Sequence, residues 1–201
     1  GYVRRLRQAL DRAGARRGLA PGSALLYVEK ILAPGETLPP GWPCQGTTGY
    51  DFMDQVGALL HDPAGSGDLR ALWRRSGGED DFQAIERQAR DQVLRGPLHA
   101  EFGRCLRRLL EAAAAMTALS DLGAATWARA LFALCVHFPV YRTYAGAAGL
   151  DEAGTAWLDR GQRAAETGLG PDVRMALDAL ADALRGGDGA ASGVPSASLR
   201  R

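Results

Sequence analysis

Lysine is almost missing from this sequence: Lys30 is the only lysine among 24 basic residues, and 23 acidic residues bring the formal net charge to +1. A nearly balanced charge argues against a nucleic-acid footprint or a polybasic membrane patch. No apolar run approaches the roughly 18 residues that a transmembrane helix needs. The sequence therefore predicts neither a nucleic-acid partner nor a membrane partner.

Cysteine is also scarce. Cys44, Cys105 and Cys135 are odd in number and lack C-x-x-C spacing, so we expect neither a disulfide framework nor a zinc knuckle. Such a chain fits a reducing cytoplasm, and we predict no metal and no other cofactor. The sequence opens with Gly1 and has no signal-peptide pattern, which we interpret as an internal piece of a longer cytoplasmic polypeptide.

Most of the sequence follows helical periodicity. Apolar residues three and four positions apart predict helices over about residues 2–17, 50–60, 67–75, 80–95, 98–119, 127–138, 155–166 and 171–184. Residues 186–201 are poor in apolar side chains, and we predict that they are disordered. The sequence therefore predicts a mainly α-helical protein with one or two short strands.

One segment reads as a strand. Residues 24–31 form an apolar run bounded by turn signals, which is typical of a strand buried on both faces in a parallel sheet. The loop that follows, residues 33–49, contains four prolines and four glycines. A long loop stiffened by proline usually has a function. Helix, turn and strand form a fragment of a βα repeat, whose other strands we expect outside this chain.

Glu29 lies beside Lys30 at the end of that strand. In a parallel barrel, side chains at the C-terminal ends of the strands face the active site. A carboxyl group there, shielded by the loop, can serve as a general acid. The structural alternative is an ion pair at the strand edge, Glu29 with an arginine and Lys30 with a carboxylate. The strand context alone leaves both open.

Two other groups are candidates. Asp51 and Asp54 share one helix face, which is typical of a solvated surface and of an acidic helix start. Residues 138–144, Phe-Pro-Val-Tyr-Arg-Thr-Tyr, combine aromatic rings with an arginine. Rings stack on the apolar faces of sugars while planar donors bind their hydroxyls. A core-and-cap role for the same segment fits equally well.

Several of these segments together resemble the maltooligosyl trehalose synthase family. The motifs are Val28-Glu29-Lys30-Ile31-Leu32, Pro34-Gly35-Glu36, Trp42-Pro43, residues 46–52 (Gly-Thr-Thr-Gly-Tyr-Asp-Phe), Asp62-Pro63-Ala64-Gly65 and residues 138–144. They occur in the order and spacing of that family, and the resemblance extends from residue 1 to about residue 185.

The resemblance implies a fold and a reaction. The family belongs to the α-amylase clan, whose (β/α)8 barrel carries large helical insertions in its later half. Residues 1–49 would then be a barrel fragment with a helix, the fifth strand and its loop, residues 50–185 a helical insertion domain, and residues 186–201 a tail. The implied substrate is a maltooligosaccharide, whose reducing-end α-1,4 bond becomes an α,α-1,1 bond by retaining double displacement.

The resemblance also implies site residues. Glu29 corresponds to the general acid/base, and the expected substrate ligands are Lys30, Tyr50, Asp51, Tyr141, Arg142 and Tyr144. The nucleophilic aspartate of the family, in an Arg-x-Asp-His stretch upstream, and a third carboxylate downstream are missing from this sequence. We therefore expect the chain to be inactive without the rest of its parent protein. Cys44 and residues 102–105 depart from the family pattern.

Two alternatives stay open. The chain could be a non-catalytic helical module that binds glycans or another subunit. The parent protein could also be a hydrolase of the α-amylase clan, which would release free glucose instead of forming trehalosyl ends.

Overall fold

The computed structural model describes residues 1–114, 116, 119, 121–145 and 149–186. Its helices are α1 (Tyr2–Ala15), α2 (Tyr50–Leu59), α3 (Ser66–Arg75), α4 (Phe82–Arg95), α5 (His99–Ala113), α6 (Ala124–His137), α7 (Glu152–Ala165) and α8 (Pro171–Arg185). Its strands are β1 (Tyr27–Val28) and β2 (Gly46–Thr47), and a short 3-10 helix covers Pro63–Gly65. The prediction of a mainly helical protein with one or two short strands is confirmed. Of the tail that the sequence predicts to be disordered over residues 186–201, residues 187–201 lie outside the described residues.

Two compact units divide the chain, Gly1–Arg75 and Ser76–Arg201. The first contains α1, both strands, α2 and α3, and the second contains α4 to α8. The predicted boundary between barrel fragment and helical insertion lies earlier, at residues 49 and 50. That boundary concerns the parent protein and stays a prediction.

Arg7 connects α1 to the strand region of the first unit. Its side chain is buried, and its guanidinium donates to the carbonyl of Ala24 at 2.6 Å and to Gln45 Oε1 at 2.9 Å. The same Gln45 oxygen accepts a hydrogen bond from the Leu26 N–H at 2.8 Å. A buried charge is tolerated only when its donors find acceptors. Arg7 therefore fixes α1, the start of β1 and the approach to β2 against one another.

β1 is shorter and more exposed than the sequence predicted. It pairs in parallel with β2, with Tyr27 opposite Gly46 and Val28 opposite Thr47. Leu26 is buried, whereas Leu25 and Tyr27 are 64 % and 51 % exposed. Alternate side chains of an extended strand lie on opposite faces. The described part of this chain covers only one face of residues 24–31, so burial of the other face by strands of the parent protein stays a prediction.

The core of the second unit forms around α6, which packs against α4, α5, α7 and α8. The helices α5 to α8 bury apolar residues on one side, as surface helices of a globular unit do, whereas α4 has no buried residue. The buried cluster consists of Leu109, Ala112, Ala113, Met116, Trp127, Ala130, Leu134, Leu158, Ala165, Val173, Ala176, Leu177, Leu180 and Ala181. α5 ends at Ala113, earlier than the predicted end near residue 119.

The chain leaves α6 along a path that Arg90 fixes. Arg90 Nη1, on α4, donates to the carbonyl oxygens of Val136 at 3.1 Å and Phe138 at 2.7 Å, and Nη2 is paired with Glu86 at 2.6 Å. The last carbonyls of a helix lack partners inside the helix, and an arginine from a neighbouring helix supplies donors here. Pro139 follows directly and cannot continue the helical hydrogen bonding.

None of the helices within the described ranges combines the length and the apolar character needed to cross a membrane.

A substitution at Gly149 probes how closely the chain packs in the second unit. Its φ is +99°, and an added Cβ would lie 2.6 Å from the carbonyl oxygen of Arg185. Gly168 is the matched control, because its φ is +78° and a Cβ there meets no atom within 4 Å. We expect Gly168→Ala to lower the free energy of unfolding by about 1–2 kcal/mol through backbone strain alone.

Gly149→Ala carries the same strain and a backbone clash, so we expect a loss larger by about 1–3 kcal/mol. Urea denaturation followed by circular dichroism measures both variants. Equal losses would show that the close approach of Gly149 to Arg185 does not exist in solution.

Candidate active site

Glu29 follows β1 directly and lies on its exposed face. The residues of that face alternate along the chain as Leu25, Tyr27, Glu29 and Ile31, and all four are exposed. Within the described residues, the Glu29 carboxylate has no hydrogen-bond or ion-pair partner. The described residues therefore contain no ion pair between Glu29 and an arginine at the strand edge.

Lys30 lies on the opposite, buried face. Its Nζ donates to Glu36 Oε1 at 2.7 Å, and the two side chains are only 6 % and 7 % exposed. The second Glu36 oxygen accepts from the Ala33 N–H at 3.0 Å, and the Glu36 N–H donates to the Ala33 carbonyl at 2.8 Å. Lys30 thus has the carboxylate partner that the structural alternative expected. Its ammonium fixes the first turn of the loop after β1.

The far end of the same loop is fixed by backbone hydrogen bonds. The Gln45 N–H donates to the Leu26 carbonyl at 2.8 Å, and the Thr48 N–H donates to the Val28 carbonyl at 3.1 Å. Hydrogen bonds to Glu36 therefore fix the start of the loop after β1. Hydrogen bonds of Gln45 and Thr48 to the strand fix its end. The sequence predicted the stiff loop, but not that Arg7, Glu36 and Gln45 fix it. Lys30 and Glu36 are only six residues apart, which was a signal of an ion pair. Spacing across a loop, however, does not show which two charged residues pair.

Asp51 lies in the first turn of α2, next to Tyr50, and both side chains are exposed. The Thr47 hydroxyl donates a hydrogen bond to the Asp51 carboxylate. This bond, with weaker help from the N–H groups of Asp51 and Phe52, holds the pKa of Asp51 below its ordinary value. Asp51 is therefore ionised at neutral pH and can accept hydrogen bonds from hydroxyl groups.

The remaining predicted ligands follow α6 in the second unit. Tyr141 is 91 % exposed. The Arg142 guanidinium carbon lies 4.9 Å from the centre of the Tyr144 ring, which is the geometry of a cation–π contact. The predicted residues thus form two groups: Glu29, Lys30, Tyr50 and Asp51 in the first unit, and Tyr141, Arg142 and Tyr144 in the second.

In the described part of the chain, no group of three or more His, Cys, Asp or Glu side chains could hold a metal ion. Burial, with a smaller effect of Cys105, raises the pKa of the Cys135 thiol to about 11. The thiol, not the thiolate that binds metals, is thus the form present at neutral pH.

Comparison with known proteins finds relatives both by sequence and by structure. No protein-family profile matches the chain. Two Mycobacterium tuberculosis proteins, from strains CDC 1551 and H37Rv, named "Putative maltooligosyl trehalose synthase", are 36% identical to it over 116 residues, which is 57% of this chain and 14% of theirs.

Solved structures match over nearly the whole chain. Maltooligosyltrehalose synthase from Arthrobacter ramosus aligns with 99% of this chain at 30% identity and a TM-score of 0.68. A glycosyltrehalose synthase aligns with 91% at 22% identity and a TM-score of 0.56, which supports the fold alone. The chain spans 14% of the length of the curated relatives and 23% of the Arthrobacter chain, so it corresponds to a partial segment of such proteins.

The Lys30–Glu36 pair predicts a large effect of a single substitution. Lys30→Met leaves the Glu36 carboxylate buried without its ammonium, and we expect the free energy of unfolding to fall by about 3–5 kcal/mol. The double variant Lys30→Met/Glu36→Gln removes the uncompensated charge and keeps an acceptor for Ala33, so it should recover more than half of that loss. Urea denaturation of the whole chain measures both.

Arg104 provides the matched control, because it pairs with Glu101 at 2.9 Å while both side chains stay about half exposed. We expect Arg104→Met to cost less than about 1 kcal/mol. If Lys30→Met cost no more than this control, the buried pair would not exist as described.

Proposed function

From the homology of this chain to a segment of maltooligosyltrehalose synthase, we propose that it carries the acid/base part of the active site of a trehalose-forming transglucosidase. The substrate is a maltooligosaccharide, and the reaction moves its reducing-end glucose from an α-1,4 to an α,α-1,1 linkage. The observation that carries the proposal is the state of Glu29: an exposed carboxyl group directly after β1, without a competing partner in the described residues.

The reaction follows retaining double displacement. An aspartate of the parent protein, outside this chain, attacks the anomeric carbon while the Glu29 carboxylic acid protonates the departing glycosidic oxygen. The released glucose turns over and attacks the glycosyl-enzyme through its own anomeric hydroxyl, which Glu29 now deprotonates. Retention requires the two carboxyl groups to lie about 5–5.5 Å apart.

The other predicted residues take different roles. Asp51, ionised at neutral pH, accepts hydrogen bonds from sugar hydroxyls, and Tyr50 beside it offers an exposed ring. Lys30 acts by positioning, because its ammonium is engaged with Glu36 and fixes the loop beside Glu29. In the second unit, Tyr141 presents a free ring for stacking on a sugar, whereas one face of Tyr144 is occupied by Arg142.

The acid/base role makes a specific prediction for the full-length parent protein. Glu29→Gln should lower kcat on maltopentaose by about 10²–10⁴-fold, since the departing oxygen is no longer protonated. The first-turnover release of fluoride from a maltosyl fluoride should fall far less, because fluoride departs without a proton and Glu29 is needed as base only in the second step. Glu101→Gln, an exposed glutamate on α5, is the matched control and should leave both rates unchanged.

The products separate this proposal from hydrolysis. Chromatography of the wild-type reaction should show oligosaccharides with trehalosyl ends, while a hydrolase of the same clan would yield mainly free glucose. Equal losses of Glu29→Gln in maltopentaose turnover and in first-turnover fluoride release would refute the proton-transfer role, and a rate near wild type on maltopentaose would refute any catalytic role.

A second prediction concerns this chain alone. Without the nucleophilic aspartate, it should form no trehalosyl product from maltopentaose, even at high protein concentration and long incubation. Detectable trehalosyl product would contradict the assignment of the nucleophile to another part of the parent protein.

A further inference from the structure

A cavity of about 490 Å³ opens in the second unit between α4, α5 and α6. Its volume falls within the roughly 300–1,000 Å³ of known ligand pockets. The lining combines an apolar side with four charged or titratable groups, Asp91, Arg95, Arg129 and His137. None of these residues belongs to the proposed transglucosidase site.

The guanidinium of Arg95 contacts two neighbouring side chains but keeps hydrogen-bond donors available. Its Nε donates to Asp91 Oδ2 at 2.8 Å, and its guanidinium carbon lies 4.5 Å from the centre of the Phe132 ring. Neither Nη group has an acceptor in the described residues. The exposed side chain therefore presents two parallel N–H donors, which match the geometry of a carboxylate or phosphate.

Two further groups add to this polar side. Arg129 is exposed and has no ion-pair partner within the described ranges. The Nδ1 of His137 bonds to the Ala133 carbonyl at 2.9 Å, which leaves the Nε2 position of the ring available. Asp91 offsets one of the two guanidinium charges, so the lining carries a net positive charge even with a neutral histidine.

The apolar part of the lining adjoins Arg95. Phe102 packs edge-on against Phe132, with ring centres 5.7 Å apart and an interplanar angle of 80°. One face of Phe132 is covered by the Arg95 guanidinium, so that face is not available for stacking. The cavity therefore joins an apolar wall to a cationic one.

We propose that this cavity binds a small organic oxyanion, a phosphate monoester or a carboxylate on an apolar body. The Nη groups of Arg95 take the oxyanion in a bidentate arrangement, Arg129 supplies the second positive charge, and the body contacts Phe102. The proposal does not depend on the reaction assigned to Glu29, so either can fail without the other.

Calorimetric titration of the whole 201-residue chain with phenyl phosphate and with benzoate tests the proposal. We expect saturable binding of at least one, in the millimolar range or tighter, and the stronger of the two identifies the preferred head group. Benzyl alcohol, which keeps the ring without the charge, and inorganic phosphate, which keeps the charge without the ring, should each bind at least about tenfold more weakly. Binding should weaken as salt is added, because the attraction is partly exposed to solvent.

The matched variants are Arg95→Gln and Arg104→Gln. Both arginines are exposed and paired with an acidic residue on their own helix, but only Arg95 lines the cavity. Arg95→Gln should raise the Kd about tenfold or more, Arg95→Lys should recover only part of it, and Arg104→Gln should leave it unchanged. Circular dichroism checks that each variant is folded, and Arg129→Gln replaces Arg95→Gln if the latter is not.

Three results would overturn the proposal: no saturable binding of either anion, equal losses in Arg95→Gln and Arg104→Gln, or benzyl alcohol binding as tightly as the anions.

Discussion

The buried ion pair between Lys30 and Glu36 is the interaction on which the first unit depends. Its two side chains are almost inaccessible to water, so each charge needs the other. Glu36 also accepts from the Ala33 N–H, and the loop after β1 therefore begins in a fixed direction. Because Lys30 is directed to the covered side of the strand, its neighbour Glu29 is directed to the uncovered side. The free carboxylate is a consequence of the paired ammonium.

In each unit one arginine also connects separate segments of the chain. Arg7 joins α1 to the start of β1 and to Gln45 in the first unit. Arg90 binds the carbonyls at the end of α6 in the second, and residues 138–144 follow from there. In both cases a guanidinium satisfies backbone oxygens that would otherwise lack donors. The exposed candidate residues lie next to these fixed points, which is how a rigid scaffold positions a binding side chain.

The helices were predictable from the sequence because their apolar stripes repeat with helical spacing and their ends are marked by glycine and proline. β1 was less so: an apolar run indicates a strand but not which of its faces this chain covers. The proposal of Glu29 as the acid/base rests on its place in the run and on the family motif around it. The pairing of Lys30 with Glu36, and the Arg7–Gln45 hydrogen bonds, depend on how the loop folds back. Periodicity does not encode that path.

We propose that Glu29 exchanges a proton with the oxygen that links the two reducing-end glucose units. The most direct measurement is a structure of the full-length protein with a maltooligosaccharide bound in an inactive variant of the nucleophile. We expect a Glu29 carboxyl oxygen within about 2.6–3.2 Å of that bridging oxygen. A Glu29 side chain directed away from the sugar, with another acid at the bridging oxygen, would contradict it.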